Sequence, residues 1–159
     1  MRVVSSEQVI PMRPVCCAVA FLVLLAGTAV ARVGDPLSGF SSGALMQQLQ
    51  LTPSSQTADA AGRQIYRYVS DDQVITVDVV VRGGLIEQQL MYVPMDPRRA
   101  FQVSFFLQDA VGSVVGAQKG MIAFNAALSN HKETYLPFGG YTMRFTPMGG
   151  LVRVLVTGS

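Results

Sequence analysis

The sequence predicts a mainly β fold, either a β-sandwich or a curled antiparallel sheet, with one short N-terminal helix; an α+β arrangement is the alternative. Three observations lead there. From Gln64 onward, apolar residues recur at every second position in run after run, the period of a strand that buries one face. Glycine pairs at Gly83-Gly84, Gly139-Gly140 and Gly149-Gly150 supply the positive φ angles that tight hairpins need. Only 14% of the side chains are charged against 50% hydrophobic, as expected where few positions are left fully solvated.

The apolar excess is partly a targeting segment. Arg13 and Pro14 precede the run from Val15 to Gly27, and Thr28-Ala29-Val30-Ala31 follows it. A positive flank, an apolar core and an A-x-A site in that order mark a secretory signal, with the cut expected before Arg32. Residues 1–31 are therefore read as a signal peptide, or as an uncleaved anchor, since Val15 to Val33 is long enough to approach a bilayer span. A start at Met12 would give a compact signal, leaving residues 1–11 as an upstream extension. Cys16 and Cys17 lie inside the apolar run rather than after it, which excludes a lipoprotein site.

Residues 32–43, rich in Gly, Ser and Pro, read as a linker, and residues 44–159 as a single β-rich domain. Within it, Ser41 or Ser42 caps a short helix carrying Leu45, Met46 and Leu49, which Thr52-Pro53 stops. Ser54 to Gly62 reads as a polar loop. Strands are expected at 64–69, 74–81, 85–93, 101–108, 113–117, 141–146 and 151–156. The second is the clearest, with Ile75, Val77, Val79 and Val81 on one face and Thr76 and Asp78 on the other. Phe101, Val103, Phe105 and Leu107 alternate with polar residues and are expected to give a core strand its aromatic weight. The stretch 121–128 suits a helix or a strand, with strand preferred. Val74–Val81 and Leu151–Val156 carry one charge each, so either would invite pairing with another chain if it lay at a sheet edge.

Composition excludes several chemistries. Both Cys precede Arg32, Trp is absent, and His131 is the sole histidine, so the mature part offers no disulfide framework and no ordinary zinc or haem site. No metal and no cofactor is expected. A formal charge of +2 leaves no electrostatic footprint for nucleic acid. His131 sits in a polar turn without a nucleophile motif and reads as solvated. Asp71 and Asp72 lack the ligand spacing of a calcium loop and read as turn acids, as do Asp96 and Asp109. Arg98 and Arg99 form a small basic spot. The segment Arg63-Gln64-Ile65-Tyr66-Arg67-Tyr68 places Tyr66 and Tyr68 on one side and Arg63, Ile65 and Arg67 on the other. Because Tyr and Arg concentrate at binding hot spots, Arg63, Tyr66, Arg67 and Tyr68 are the candidate partner-binding residues; the bland alternative packs the Tyr over a core and leaves the Arg in water.

Gly62-Arg63-Gln64-Ile65-Tyr66-Arg67-Tyr68, a polar turn, and Val74 to Val81 resemble the G-R-x-Y-x-Y, turn and apolar strand of exosortase-associated membrane-anchored proteins, including the cyanobacterial kind. The resemblance covers about twenty residues plus the N-terminal apolar segment, and it implies a periplasmic accessory in protein sorting or exopolysaccharide export. The Cys and Trp that such families carry further on are missing after Ala31. Phe101 to Gly116 is similar to a strand–turn–strand of immunoglobulin-like extracytoplasmic modules. The expected function is thus an exported, non-enzymatic binding or accessory domain of the bacterial cell envelope, periplasmic or extracellular and in the membrane only through 15–33 if uncleaved. Its expected partner is an envelope protein, or a second copy through edge strands. The alternatives are a small exported hydrolase using carboxylates around Asp71, Asp78 or Glu87, and a structural subunit assembled by strand pairing.

Overall fold

Strand alternation and the glycine pairs account for most of the sheet in the computed structural model, which describes residues 31–159. The signal or anchor expected at the N-terminus otherwise lies outside those residues. Seven strands form one antiparallel sheet: β1 (Leu51–Ala58), β2 (Gln64–Ser70), β3 (Thr76–Arg82), β4 (Leu85–Pro94), β5 (Thr134–Phe138), β6 (Tyr141–Met148) and β7 (Leu151–Gly158). Their spatial order is β1-β2-β3-β4-β7-β6-β5, two meanders joined side by side at β4 and β7. The protein is therefore mainly β, with a single open sheet rather than two facing ones.

Each glycine pair makes a two-residue hairpin. Both residues have φ > 0 at Gly83-Gly84 (60°, 84°), Gly139-Gly140 (55°, 84°) and Gly149-Gly150 (53°, 92°), the requirement of the turn whose twist matches paired strands. Asp72 closes the β2–β3 turn by accepting from the Val74 N–H at 3.1 Å and the Ser70 hydroxyl at 2.6 Å. Val74–Val81 and Leu151–Val156 fall on β3 and β7, both interior strands. The edges are β1 and β5, which carry Pro53, beside a register shift, and Pro137. Proline removes a ladder donor where an edge would otherwise stay open.

One face of the sheet is covered by helices α3 (Ala100–Val111) and α4 (Val114–Asn130). This corrects the strands expected at 101–108 and 113–117, the strand preference at 121–128, and the likeness of Phe101 to Gly116 to a strand–turn–strand. Helical spacing fits the burial better: Val103, Phe106, Leu107, Ala110 and Val111 are buried, whereas Phe101 is 67% exposed. The caps are orthodox. Asp96 accepts from the Arg98 N–H at 2.9 Å ahead of Pro97, Gly112 ends α3 in the left-handed region at φ 62°, and Ser113 caps α4 by accepting from the Gly116 N–H. Helix α4 reads poorly from sequence because its contact face, apart from Phe124, is Gly116, Ala117, Gly120, Ala123 and Ala127. Those small residues permit close approach: a Cβ at Gly116 would come within 2.7 Å of Phe138, and one at Gly120 within 2.7 Å of Leu107.

Facing the helices are Val77, Val79, Met91, Val93, Met143, Phe145, Val152, Val154 and Val156, in one cluster with Phe106, Leu107 and Phe124. Burying each large side chain there contributes roughly 1.5–3 kcal/mol. Residues 32–43, expected as a spacer, are part of this unit. Val33 donates its N–H to the Ala110 carbonyl and Gly34 to that of Ile86, while Phe40, in α1 (Leu37–Ser41), is 1% exposed and tilts against Tyr68 at 5.0 Å. The expected short helix is α2 (Ala44–Gln48), but Gly43 rather than a serine precedes it, and Gln50 at φ 51° ends it before Thr52. Ser54 to Ala58 is strand, not loop: β1 exposes every residue after Leu51, so it has no apolar alternation to read. The turn acid expected at Asp109 is instead buried on α3, 6% exposed.

Candidate partner-binding face

The strands determine where the candidate residues point. On β2, Tyr66 and Tyr68 face the helices: Tyr68 is 4% exposed within the core, and Tyr66 packs partly buried against it. Arg63 and Arg67 point to the other side. The alternation is as read from the sequence, but the four residues do not share an exposed face, because the helix layer claims the tyrosines. Arg63 is drawn to the β1–β2 turn, where its Nε donates to Asp59 Oδ2 at 2.6 Å. The Arg63 backbone N–H also bonds that carboxylate, which holds it below the usual aspartate range.

Arg67 opens onto a surface that sequence reasoning did not assemble. It donates twice to Asp78, at 2.7 Å from Nε and 2.7 Å from Nη2, and these hydrogen bonds raise the guanidinium pKa further. Asp78 is 7% exposed and Arg67 48%, so the acid lies beneath and the cation faces outward. Register then carries one row across six strands: Arg67 opposite Asp78, Asp78 opposite Leu90, Leu90 opposite Leu155, Leu155 opposite Arg144, and Arg144 opposite Tyr135. At about 4.8 Å per strand the row spans about 24 Å. At its far end the Arg144 guanidinium lies 4.8 Å over the Tyr135 ring. The adjacent row runs Val69, Thr76, Tyr92, Arg153 and Thr146.

Glu133 ties these rows together, accepting from the Thr146 hydroxyl at 2.6 Å and the Tyr135 hydroxyl at 2.5 Å. Those bonds lower the glutamate pKa, the first more than the second, and the hydrogen bond donated to Glu133 raises that of Tyr135. Arg153 reaches Thr146 at 3.5 Å, and its buried Nε has no acceptor among the described residues. Leu90, Tyr92, Leu155, Arg144 and Arg153 are all half-buried. Val80, buried on this side, lies outside the helix-facing cluster. Chemically the face offers an aliphatic centre, Tyr92 beside it on β4, Tyr135 at the β5 edge, and directed cationic donors.

The carboxylates weighed for hydrolysis are engaged or dispersed. Asp78 serves Arg67, Glu87 lies 3.6 Å from Arg63 and 3.7 Å from Arg82, and Asp71 is exposed in the β2–β3 turn. His131 is exposed at the left-handed C-cap of α4. Arg98 pairs with Asp96, and Arg99 reaches Asp72 at 3.4 Å. Among the described residues no cluster of three potential metal ligands occurs, and no helix is long and apolar enough to cross a membrane. No family model, curated protein or solved structure matches the chain.

Proposed function

We propose that this chain is an exported, non-enzymatic binding or accessory domain of the bacterial cell envelope, and that it seats a protein partner on the helix-free face of its sheet. The observation that carries the reading is the row Arg67, Asp78, Leu90, Leu155, Arg144 and Tyr135. A half-buried apolar centre flanked by Arg and Tyr is the composition of an interaction hot spot. The lone Arg153 Nε adds a donor waiting for an acceptor, so the complementary surface is apolar with carboxylates at its margin. Export rests on the signal-like segment, and the accessory role on the resemblance carried by Gly62 to Val81.

The test compares wild-type protein with Leu155→Asp and Arg144→Glu, each crosslinked in envelope preparations. Both variants should keep their circular dichroism spectrum while losing the crosslinked species that wild type forms. Crosslinks unchanged in both folded variants would overturn the assignment of this face.

A further inference from the structure

Helix α3 is apolar on more than one side. Val103, Phe106, Leu107, Ala110 and Val111 are buried in the core. Phe101 and Phe105, one turn apart, share another face and stack edge to face at 4.3 Å, with Phe101 67% exposed. Helix α4 repeats the pattern, since Val114, Val115 and Ile122 are 56%, 55% and 72% exposed. The two helices pack together and turn back at Gly112-Ser113, and Phe105 and Ile122 both lie about two turns from that reversal. A helix apolar beyond its core stripe is built to be covered a second time, and exposed apolar patches of this kind mark docking surfaces.

The charge around the patch selects what covers it. Helices α3 and α4 hold one acid, Asp109, and it is buried. Exposed Lys119 sits over the Phe138 ring at 5.4 Å. Exposed Arg32 lies against Gly112 at the turn, and exposed Lys132 follows the cap of α4 at the other end. Arg98 and Arg99, ahead of α3, are matched by Asp96 and Asp72. Two copies meeting through this patch would bring Lys119 against a helix pair with no exposed acid. A layer of anionic headgroups instead receives each cation while the apolar tips enter below it. The tether agrees. Ala31 joins the fold at α3, where its N–H donates to Asp109, and the apolar run ends at Gly27, no more than about 14 Å of extended chain away. A leader retained as an anchor therefore holds this end of the helical hairpin at the bilayer.

We infer that the outer face of α3 and α4 is a docking surface for an anionic bilayer, entered by Phe101, Phe105, Val115 and Ile122 and ringed by Arg32, Lys119 and Lys132. The inference rests on the export reading for its setting and goes beyond the partner face. The helices lie between the bilayer and the sheet, so the row from Arg67 to Tyr135 is left turned toward water and a protein partner.

The chain contains no Trp, so a single introduced Trp reports on one position. Full-chain Phe101→Trp, Ile122→Trp and, on the open face, Tyr135→Trp are mixed with vesicles of phosphatidylcholine and phosphatidylglycerol carrying brominated acyl chains. Emission from positions 101 and 122 should shift to the blue and be quenched, while that from 135 stays unchanged. Adding Lys119→Glu to Ile122→Trp should raise the lipid needed for half-quenching about tenfold. A protein that floats with the vesicles while 101 and 122 stay unquenched overturns the proposal, although the membrane-anchored form of the export reading then stands. Failure to bind vesicles overturns it, as does stronger quenching at 135 than at the helices. Equal quenching on vesicles of phosphatidylcholine alone overturns the anionic assignment. A blue shift that grows with protein concentration without lipid, and that lipid does not quench, assigns the face to a second copy and overturns the proposal. None of these outcomes touches the partner face, which Leu155→Asp and Arg144→Glu test from the other side of the sheet.

Discussion

Val79 and Asp78 are neighbours on β3, both almost without solvent exposure, and they face different media. Val79 looks into the helix layer, where the sheet residues are nearly all apolar and burial is obtained by packing against Phe106, Leu107 and Phe124. Asp78 looks to the uncovered side, where burial depends on a salt bridge with Arg67 at 2.7 Å. The first face tolerates no charge because no partner is present. On the second, Asp78 and Glu133 already have partners and the Arg153 Nε lacks one among the described residues, so substitutions there should disturb recognition before they disturb folding.

Val79→Asp should break the first face outright. It places an unpaired carboxylate where Val79 is 0% exposed, at a cost of several kcal/mol, and a urea melt should find the variant largely unfolded. The next effect is pH-dependent and concerns the exception on that face, Asp109. Its folded pKa is raised by burial, with Asp35 adding to the shift, so the folded state holds the proton more tightly than the unfolded chain does. The stability this contributes is fully present below the unfolded aspartate value near 4 and is lost as pH rises toward about 7. Denaturation from pH 4 to 8 should show that decline, and Asp109→Asn should flatten it. On the open face, Arg67→Ala leaves Asp78 buried without its donor and should cost about 1–2 kcal/mol by thermal melt. Tyr135→Ala, at a residue 53% exposed, should change stability by no more than about 0.5 kcal/mol while weakening the crosslink to a partner.

Legibility followed the same division. Strands β3, β4, β6 and β7 and the three glycine hairpins could be read because alternation and turn chemistry are local. The helical hairpin could not, since Phe101, Val103, Phe105 and Leu107 satisfy a two-residue period while Val103, Phe106, Leu107 and Ala110 satisfy a helical one. Asp96-Pro97 before the segment and Gly112-Ser113 within it were the available signals that would have decided between them. Strand β1 had no apolar pattern to find. The parity of Tyr66, Arg67 and Tyr68 was legible, but their exposure was not, because it depends on which side the unrecognised helices cover. Likewise the row from Arg67 to Tyr135 depends on β4 pairing with β7, a juxtaposition that no local pattern encodes.

That seam between β4 and β7 also bears on how the molecule folds. The glycine hairpins join strands adjacent in sequence, and such elements form on microsecond timescales. Leu90 and Leu155 meet only after both helices and two further strands have been traversed, so their contact carries the larger loop-closure entropy. The order of events follows: two locally assembled meanders, then the helical hairpin drawing them edge to edge. A destabilising change at Leu155 should therefore appear mainly as faster unfolding, whereas one that strains Gly83-Gly84 should slow folding itself.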